Sequence, residues 1–310
     1  MSAPIWFFGT GNFAAACLRE ISKEYPPSLV VTAPPSVAGR GMKSKISPVE
    51  ETAVELNLLA YRSPSINKDS DLLSQLEEKT PALILVIDFG QKVKEPYLNA
   101  PPCGCINIHP SLLPHYRGAA PVQRALMDGV LSTGVSLFRL VEQMDAGPIW
   151  IQSQTEIGEN ETAGELLNRL AIEGSIIFKE RVKYLLEGKV AFVPQSEKEA
   201  TIAPRIEKSE ARLDAVLSSK VLHNKVRALS PAPGAYVMFR GKRVKILKTC
   251  RNDQSSEGAG VLNCLSGKVL LGTSSGCLEL KTVQPEGKKP MDALDWLKGI
   301  RLEKGEKIDD

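Results

Sequence analysis

The amino-acid sequence predicts an α/β protein: a doubly wound, mostly parallel, Rossmann-like sheet followed by a small β barrel or sandwich. Three observations predict it. Short apolar runs alternate with helical-period stretches over roughly the first 190 residues. A stretch rich in Pro, Ser, Glu, Lys and Thr interrupts that rhythm, and brief β-type runs divided by Gly, Asn and Ser turns follow it. A βαβ rhythm implies a parallel sheet covered on both faces, whereas short, evenly spaced strands imply an antiparallel unit. The chain is therefore expected to divide into residues 1–189, a linker at 190–208, and residues 209–310.

Each element has a local reason. Residues 5–8 form a buried-strand run, and Gly9-Thr10-Gly11 turns it into a helix over 13–21. A second strand is expected at 29–32 and a helix at 49–59. Residues 83–87 and 105–108 are unbroken apolar runs suited to the interior of a parallel sheet. Pro121 sits where proline is tolerated, in the first turn of a helix over 121–127. Residues 135–141 read as a strand and 163–186 as a long amphipathic helix. Beyond the linker a helix is expected at 211–228, then strands at 236–239, 243–248, 260–262, 269–272 and 277–283.

Composition narrows the function classes. Of 310 residues, 43% are hydrophobic and 24% charged, ordinary for a chain that builds a core. No apolar run approaches the ~18 residues of a membrane span, and no basic segment precedes the first apolar run, so a cytoplasmic protein with no membrane partner is expected. Six cysteines are scattered without ligand spacing, and no metal is expected. The net charge of +3 hides an asymmetry: residues 209–310 hold 18 basic and 12 acidic side chains. Between Asp214 and Asp253 no acid occurs, while Lys220, Lys225, Arg227, Arg240, Lys242, Arg243, Lys245, Lys248 and Arg251 all fall there. Such a run suits a polyanionic partner or a solvated basic face.

Gly9-Thr10-Gly11-Asn12-Phe13-Ala14 nearly fits a dinucleotide fingerprint. That fingerprint needs an acid about 20 residues on, at the end of the second strand. Here the strand ends Thr32-Ala33-Pro34, so a tight strand-to-helix turn is the better reading.

The segment Asn107-Ile108-His109-Pro110 carries the chemistry. Asn107 and His109 are two apart on a strand and leave the same face, and Pro110 places them at its carboxyl end, where open α/β sheets hold ligands. Met144-Asp145-Ala146-Gly147 adds a carboxylate after a later strand. An amide, an imidazole and a carboxylate suit a reaction that passes through an oxyanion. Asn107 would donate to the developing charge, His109 would move a proton, and Asp145 would orient the imidazole and favour its protonated form. No Gly-x-Ser-x-Gly or His-Glu-x-x-His motif is present to suggest a serine or zinc hydrolase.

Asn107-Ile108-His109-Pro110-Ser111-Leu112-Leu113-Pro114, Tyr116-Arg117-Gly118-Ala119-Ala120-Pro121 and Met144-Asp145-Ala146-Gly147 together resemble the signature of the 10-formyltetrahydrofolate-dependent formyltransferases. The resemblance runs from about residue 5 to 302. It implies 10-formyltetrahydrofolate as formyl donor and, as acceptor, the α-amine of initiator methionyl-tRNA, handled by a monomer. It assigns the catalytic roles to Asn107, His109 and Asp145, and a folate site to Phe89, Gly90, Gln91 and to Ser111, Leu112, Leu113 and Pro114. It implies that Arg40 and Lys43, in the basic loop after the second strand, contact tRNA. Residues 209–310 would form an OB-like tRNA-binding domain, which gives Lys220, Lys225, Arg227, Arg240, Lys242, Arg243, Lys245 and Lys248 the same task. Gly11 departs from the family, standing where many members carry proline.

Overall fold

The computed structural model describes residues 3–38, 43–252, 254 and 257–309 and divides the chain into two compact units. The first gathers residues 1–118, 133–155 and 167–202; the second gathers 119–132, 156–166 and 203–310.

The first unit opens with β1 (Ile5–Gly9), α1 (Asn12–Ile21) and β2 (Leu29–Thr32). A small antiparallel hairpin follows, β3 (Ser36–Ala38) against β4 (Lys43–Lys45). Helix α2 (Pro48–Glu55) is capped by Ser47, whose hydroxyl accepts from Glu50 N at 3.0 Å, and it leads to β5 (Ala60–Arg62). Helix α3 (Ser70–Glu78), capped in the same way by Asp69, precedes β6 (Leu83–Ile87) and β7 (Cys105–His109). After α4 (Pro121–Asp128), which belongs to the second unit, come β8 (Ser132–Arg139), β9 (Ile149–Glu156) and α5 (Ala163–Leu186).

The seven-stranded sheet runs β5-β2-β1-β6-β7-β8-β9, parallel from β5 to β7 and antiparallel at β7–β8. The α/β expectation is met. β1 and β6 consist of fully covered residues such as Phe7, Phe8, Ile84 and Leu85, each worth ~1.5–3 kcal/mol on burial. Strand order reverses between β1 and β6, the crevice where such sheets bind ligands. Gly174 of α5 has no Cβ because one would stand 2.6 Å from Ile108 and 2.9 Å from Val135. The helix therefore closes one face of β7, and Asn107 and His109 emerge on the other.

In the second unit, α6 (Ser219–Leu229) packs on an antiparallel sheet built from β10 (Ala235–Phe239), β11 (Lys242–Asn252), β12 (Leu262–Leu265), β13 (Lys268–Gly272) and β14 (Cys277–Pro285). β15 (Met291–Asp292) pairs with β14, and α7 (Ala293–Ile300) brings Trp296 edge-on to Phe239 at 5.7 Å. The helix expected over 211–228 starts only at Ser219. Leu213 N is drawn into a strand-like bond to Tyr236 O at 2.8 Å, and Ser218 supplies the cap. The sheet order β10-β11-β14-β13-β12 leaves two end strands, and the C-terminal tail reaches both ends. Asp309 N bonds Met238 O at 2.8 Å, while Leu262 N bonds Glu306 O at 2.8 Å and Ile308 N bonds Gly260 O at 2.9 Å.

Candidate active site

β7 alternates strictly, so Cys105, Asn107 and His109 share the face that α5 leaves open. His109 is 5% exposed and its ring stands edge-on to Phe138. Its Nε2 lies 3.0 Å from Tyr116 O. A carbonyl only accepts, so Nε2 carries the proton and Nδ1 is the nitrogen left for chemistry. Nδ1 faces Asp145 Oδ2 at 3.8 Å, ion-pair range but longer than a hydrogen bond. The same Oδ2 accepts from Gly118 N at 2.8 Å. Asn107 sits one pleat back on the strand, opposite Phe138 of β8, and its carboxamide oxygen is buried without a hydrogen-bond partner. Buried polar atoms in folded proteins are nearly always satisfied, so this orphaned oxygen sets Asn107 apart as a candidate site residue.

The loops that meet at His109 are strained. Tyr116 and Asp145 adopt φ of 60° and 50°, and Gly118 has φ 125°. Non-glycine residues in the left-handed region cost of order 1–3 kcal/mol and cluster at functional sites. Gly147 is required by contact: a Cβ there would stand 1.7 Å from Arg139 O.

A cavity of about 390 Å3 opens where residues 95–104 meet residues 139–142, and Asn107, His109 and Asp145 are not among its lining. Leu98, Gly104, Arg139, Leu140 and Glu142 are among its lining, the last only three residues before the carboxylate. Arg139 lies with its guanidinium 4.4 Å from the centre of the Phe192 ring, and its Nε is buried and unpartnered.

The residues expected at the folate lie elsewhere than this lining. Ser111 and Leu113 are buried in a network around Ser136, whose hydroxyl donates to Ser111 O at 2.6 Å and accepts from Leu113 N at 3.0 Å. Gln152 closes that network on Leu113 O at 2.8 Å, and Leu112 and Pro114 flank it half-buried. Gln91 commits its amide to the backbone, donating to Ser63 O and accepting from Ile66 N, both at 2.8 Å. Phe89 packs on Phe8 at 5.6 Å, and a Cβ at Gly90 would meet open space. The cavity residues carry no sequence signal, because two separate stretches, 95–104 and 139–142, meet there only through the fold.

The strand-to-helix turn resolves differently from a dinucleotide site. The Asp88 carboxylate accepts from Phe13 N and Ala14 N at the start of α1, and Asp88 O accepts from Thr10 N and Gly11 N at 3.1 and 3.3 Å. The protein's own anion thus occupies the position a pyrophosphate would take. Gly11 follows from this, since a Cβ there would stand 1.9 Å from Asp88 Oδ2. Asp88 keeps exposed surface, yet the dense protein around its carboxyl pushes it up to about 6, against the two N–H bonds that favour the charge.

The basic residues separate into two groups. Lys220 and Lys242 are exposed, and Arg243 stacks on Tyr236 at 4.1 Å with its surface exposed. Lys245 donates to Pro233 O at 2.7 Å from an accessible position. Others are engaged internally. Arg227 is 7% exposed, donates to Asn224 Oδ1 and Gly158 O, and burial lowers its affinity for a proton. Arg240 is forked on Glu306, Lys225 donates to Arg212 O, and Lys248 pairs with Glu165 at 2.6 Å. The acid-free run is acid-free only in sequence; Glu165 and Glu306 arrive from distant segments. Arg40 lies outside the described residues, and Lys43 opens β4. Among the described residues no group of three or more His, Cys, Asp or Glu is arranged to hold a metal ion.

Comparison with known proteins adds to this geometry. Residues 4–182 match the family model described as formyl transferase, and residues 205–301 match that of the formyl transferase C-terminal domain. Methionyl-tRNA formyltransferase of Streptomyces coelicolor is 37% identical over 307 residues, 98% of this chain and 99% of the other. That of Thermus thermophilus is 39% identical over 302 residues, 97% and 98% of the two chains. The N-formyltransferase from Helicobacter canadensis, solved with folinic acid and dTDP-3-aminofucose, is similar with a TM-score of 0.67 over 92% of this chain and 100% of that one. At 18% identity that likeness speaks for the fold alone.

Proposed function

We propose that this chain, which belongs to the formyl transferase family, transfers the formyl group of 10-formyltetrahydrofolate to the α-amine of methionine on initiator tRNA. The observation that carries the reading is the meeting of Asn107 and His109 on one face of β7 with Asp145, whose carboxylate lies 3.8 Å from the imidazole. The folate supplies the one-carbon unit. Phe89, Gly90 and Gln91, on the loop after β6, and Ser111, Leu112, Leu113 and Pro114, on the loop after β7, are the residues that would border the folate.

The chain's own groups account for the rest. The Asn107 amide holds the developing negative oxygen of the reacting carbonyl by donating from Nδ2, the end of the carboxamide that carries the N–H. His109 is held through Nε2 and moves a proton at Nδ1 between the attacking amine and the leaving nitrogen. Asp145 is the counter-charge to the imidazolium, and its bond from Gly118 N fixes the carboxylate's orientation. Lys220, Lys242, Arg243 and Lys245 give the second unit accessible cations for a phosphate backbone. The reading implies a cytoplasmic enzyme acting as a single chain.

Radiolabelled formyl transfer tests it. Charged initiator tRNA should be formylated, while free methionine and an amino-sugar nucleotide should react at least ~100-fold more slowly, because binding energy from the remote parts of the tRNA is realised in the transition state. Equal rates with the small amines would assign a different acceptor. No transfer to any amine would remove the enzyme reading.

A further inference from the structure

Residues 190–202, which follow α5 in the chain, form no helix, yet they touch both halves of the site. Gln195 Nε2 donates to Asp145 O at 2.8 Å and to Gly147 O at 2.7 Å. Its Oε1 accepts from Arg117 Nε at 3.0 Å, so both donors and the acceptor oxygen of the carboxamide are engaged. Arg117 is 3% exposed, and its two terminal nitrogens fork onto Glu197 at 3.0 and 2.8 Å. Farther along, Thr201 holds the facing loop: Tyr116 N donates to its hydroxyl at 2.8 Å and Arg117 N to its carbonyl at 2.9 Å. That facing loop supplies Tyr116 O to His109 and Gly118 N to Asp145.

Asp145 holds a φ of 50°, which a non-glycine residue keeps only when its surroundings over-determine it. Gln195 supplies that constraint, because two nearby turn carbonyls are tied to one rigid amide. The bidentate grip of buried Arg117 on Glu197 makes a stiff support for that amide. We propose that Gln195, locked by Arg117 and Glu197, is a positioning residue for Asp145 that sets the carboxylate's distance to His109 from outside the pocket. The proposal rests on the formyl-transfer reading for its kinetic consequence, though not for its geometry.

Gln195→Glu is the decisive variant in the full chain. It keeps the size of the side chain and an acceptor for Arg117 but removes both N–H donors. With 10-formyltetrahydrofolate and charged initiator tRNA, kcat is expected to fall roughly 10- to 100-fold, the scale of an ångström-level misplacement, with KM for either substrate within about 3-fold. In an Asp145→Ala background the same change should cost less than about 2-fold, since residues acting as a unit are non-additive. A substrate-free readout separates this proposal from the reaction itself: the NMR titration of the His109 imidazole should move toward that of Asp145→Asn. Glu197→Gln, at an exposed position, serves as the milder second variant and should move both readouts the same way by less. Wild-type kcat together with an unaltered titration in Gln195→Glu would overturn the proposal, as would an equal loss with and without Asp145. Failure of the wild-type chain to formylate tRNA would sink only the reaction, leaving the titration to decide the positioning.

Discussion

His109 and Asp145 stand at 3.8 Å with one proton site fixed by Tyr116 O, and that arrangement makes a sharp demand on mutants. His109→Ala and Asp145→Ala should each lower kcat by ~10²–10³ while tRNA affinity, measured by filter binding, changes little. Wild-type turnover in both would remove the assignment. Asp88 gives a prediction in pH. Its carboxyl titrates above the usual carboxylate value near 4, so its contribution to stability is full below that value and is lost as pH rises toward about 6. Asp88→Asn should therefore gain in urea midpoint relative to wild type between pH 4 and pH 7; a difference independent of pH would refute the cause given. The pairing of Asn107 with His109 was legible because strand alternation depends only on neighbours two apart. The internal duties of Gln91, Arg227 and Arg240 were not, because their partners Ser63, Gly158 and Glu306 lie 28, 69 and 66 residues away.

At the scale of elements, strong local periodicity was readable and edge structure was not. β2, β6 and α5 fall where their apolar patterns put them. β9 escaped because Ile149–Glu156 is an edge strand whose exposed positions carry Gln152, Gln154 and Glu156 with half-buried Ser153 and Thr155 between them, so it lacks the apolar run of an interior strand. α3 and α7 are short amphipathic helices of nine and eight residues, whose caps Asp69 and Asp292 sit among turn-like residues. The stretch expected as a linker is extended but not idle: Val193 bonds Ile149 in both directions at 2.8 Å. The loop between β8 and β9 is the element on which catalysis would turn. Gly147→Ala would force a methyl group against Arg139 O, so the loop must move and take Asp145 with it. The expected result is a fall in kcat of at least ~10-fold, together with a stability loss of about 1–3 kcal/mol from overpacking. Unchanged turnover with unchanged melting would show that the loop yields without cost.

For the molecule as a whole, the charge pattern along the sequence overstates the accessible cations, since folding brings Glu165 and Glu306 onto Lys248 and Arg240. The Lys248 ammonium, with the backbone N–H and hydroxyl of Thr162, holds Glu165 down at about 2. tRNA affinity should still fall steeply with salt. Lys242→Ala should reduce the salt slope by about 1, the share of a single lysine–phosphate pairing. Arg227→Ala should instead leave the slope intact and cost about 1–3 kcal/mol of stability, because its bonds to Asn224 and Gly158 are structural. Equal slope changes in the two variants would mean that Arg227 reaches the nucleic acid. The tail's bonds at Met238, Gly260 and Leu262 carry a further consequence for handling the protein. A protease nick before Glu306 would bare unpaired strand edges on both sides of the second unit, turning a monodisperse preparation into one prone to edge-to-edge aggregation.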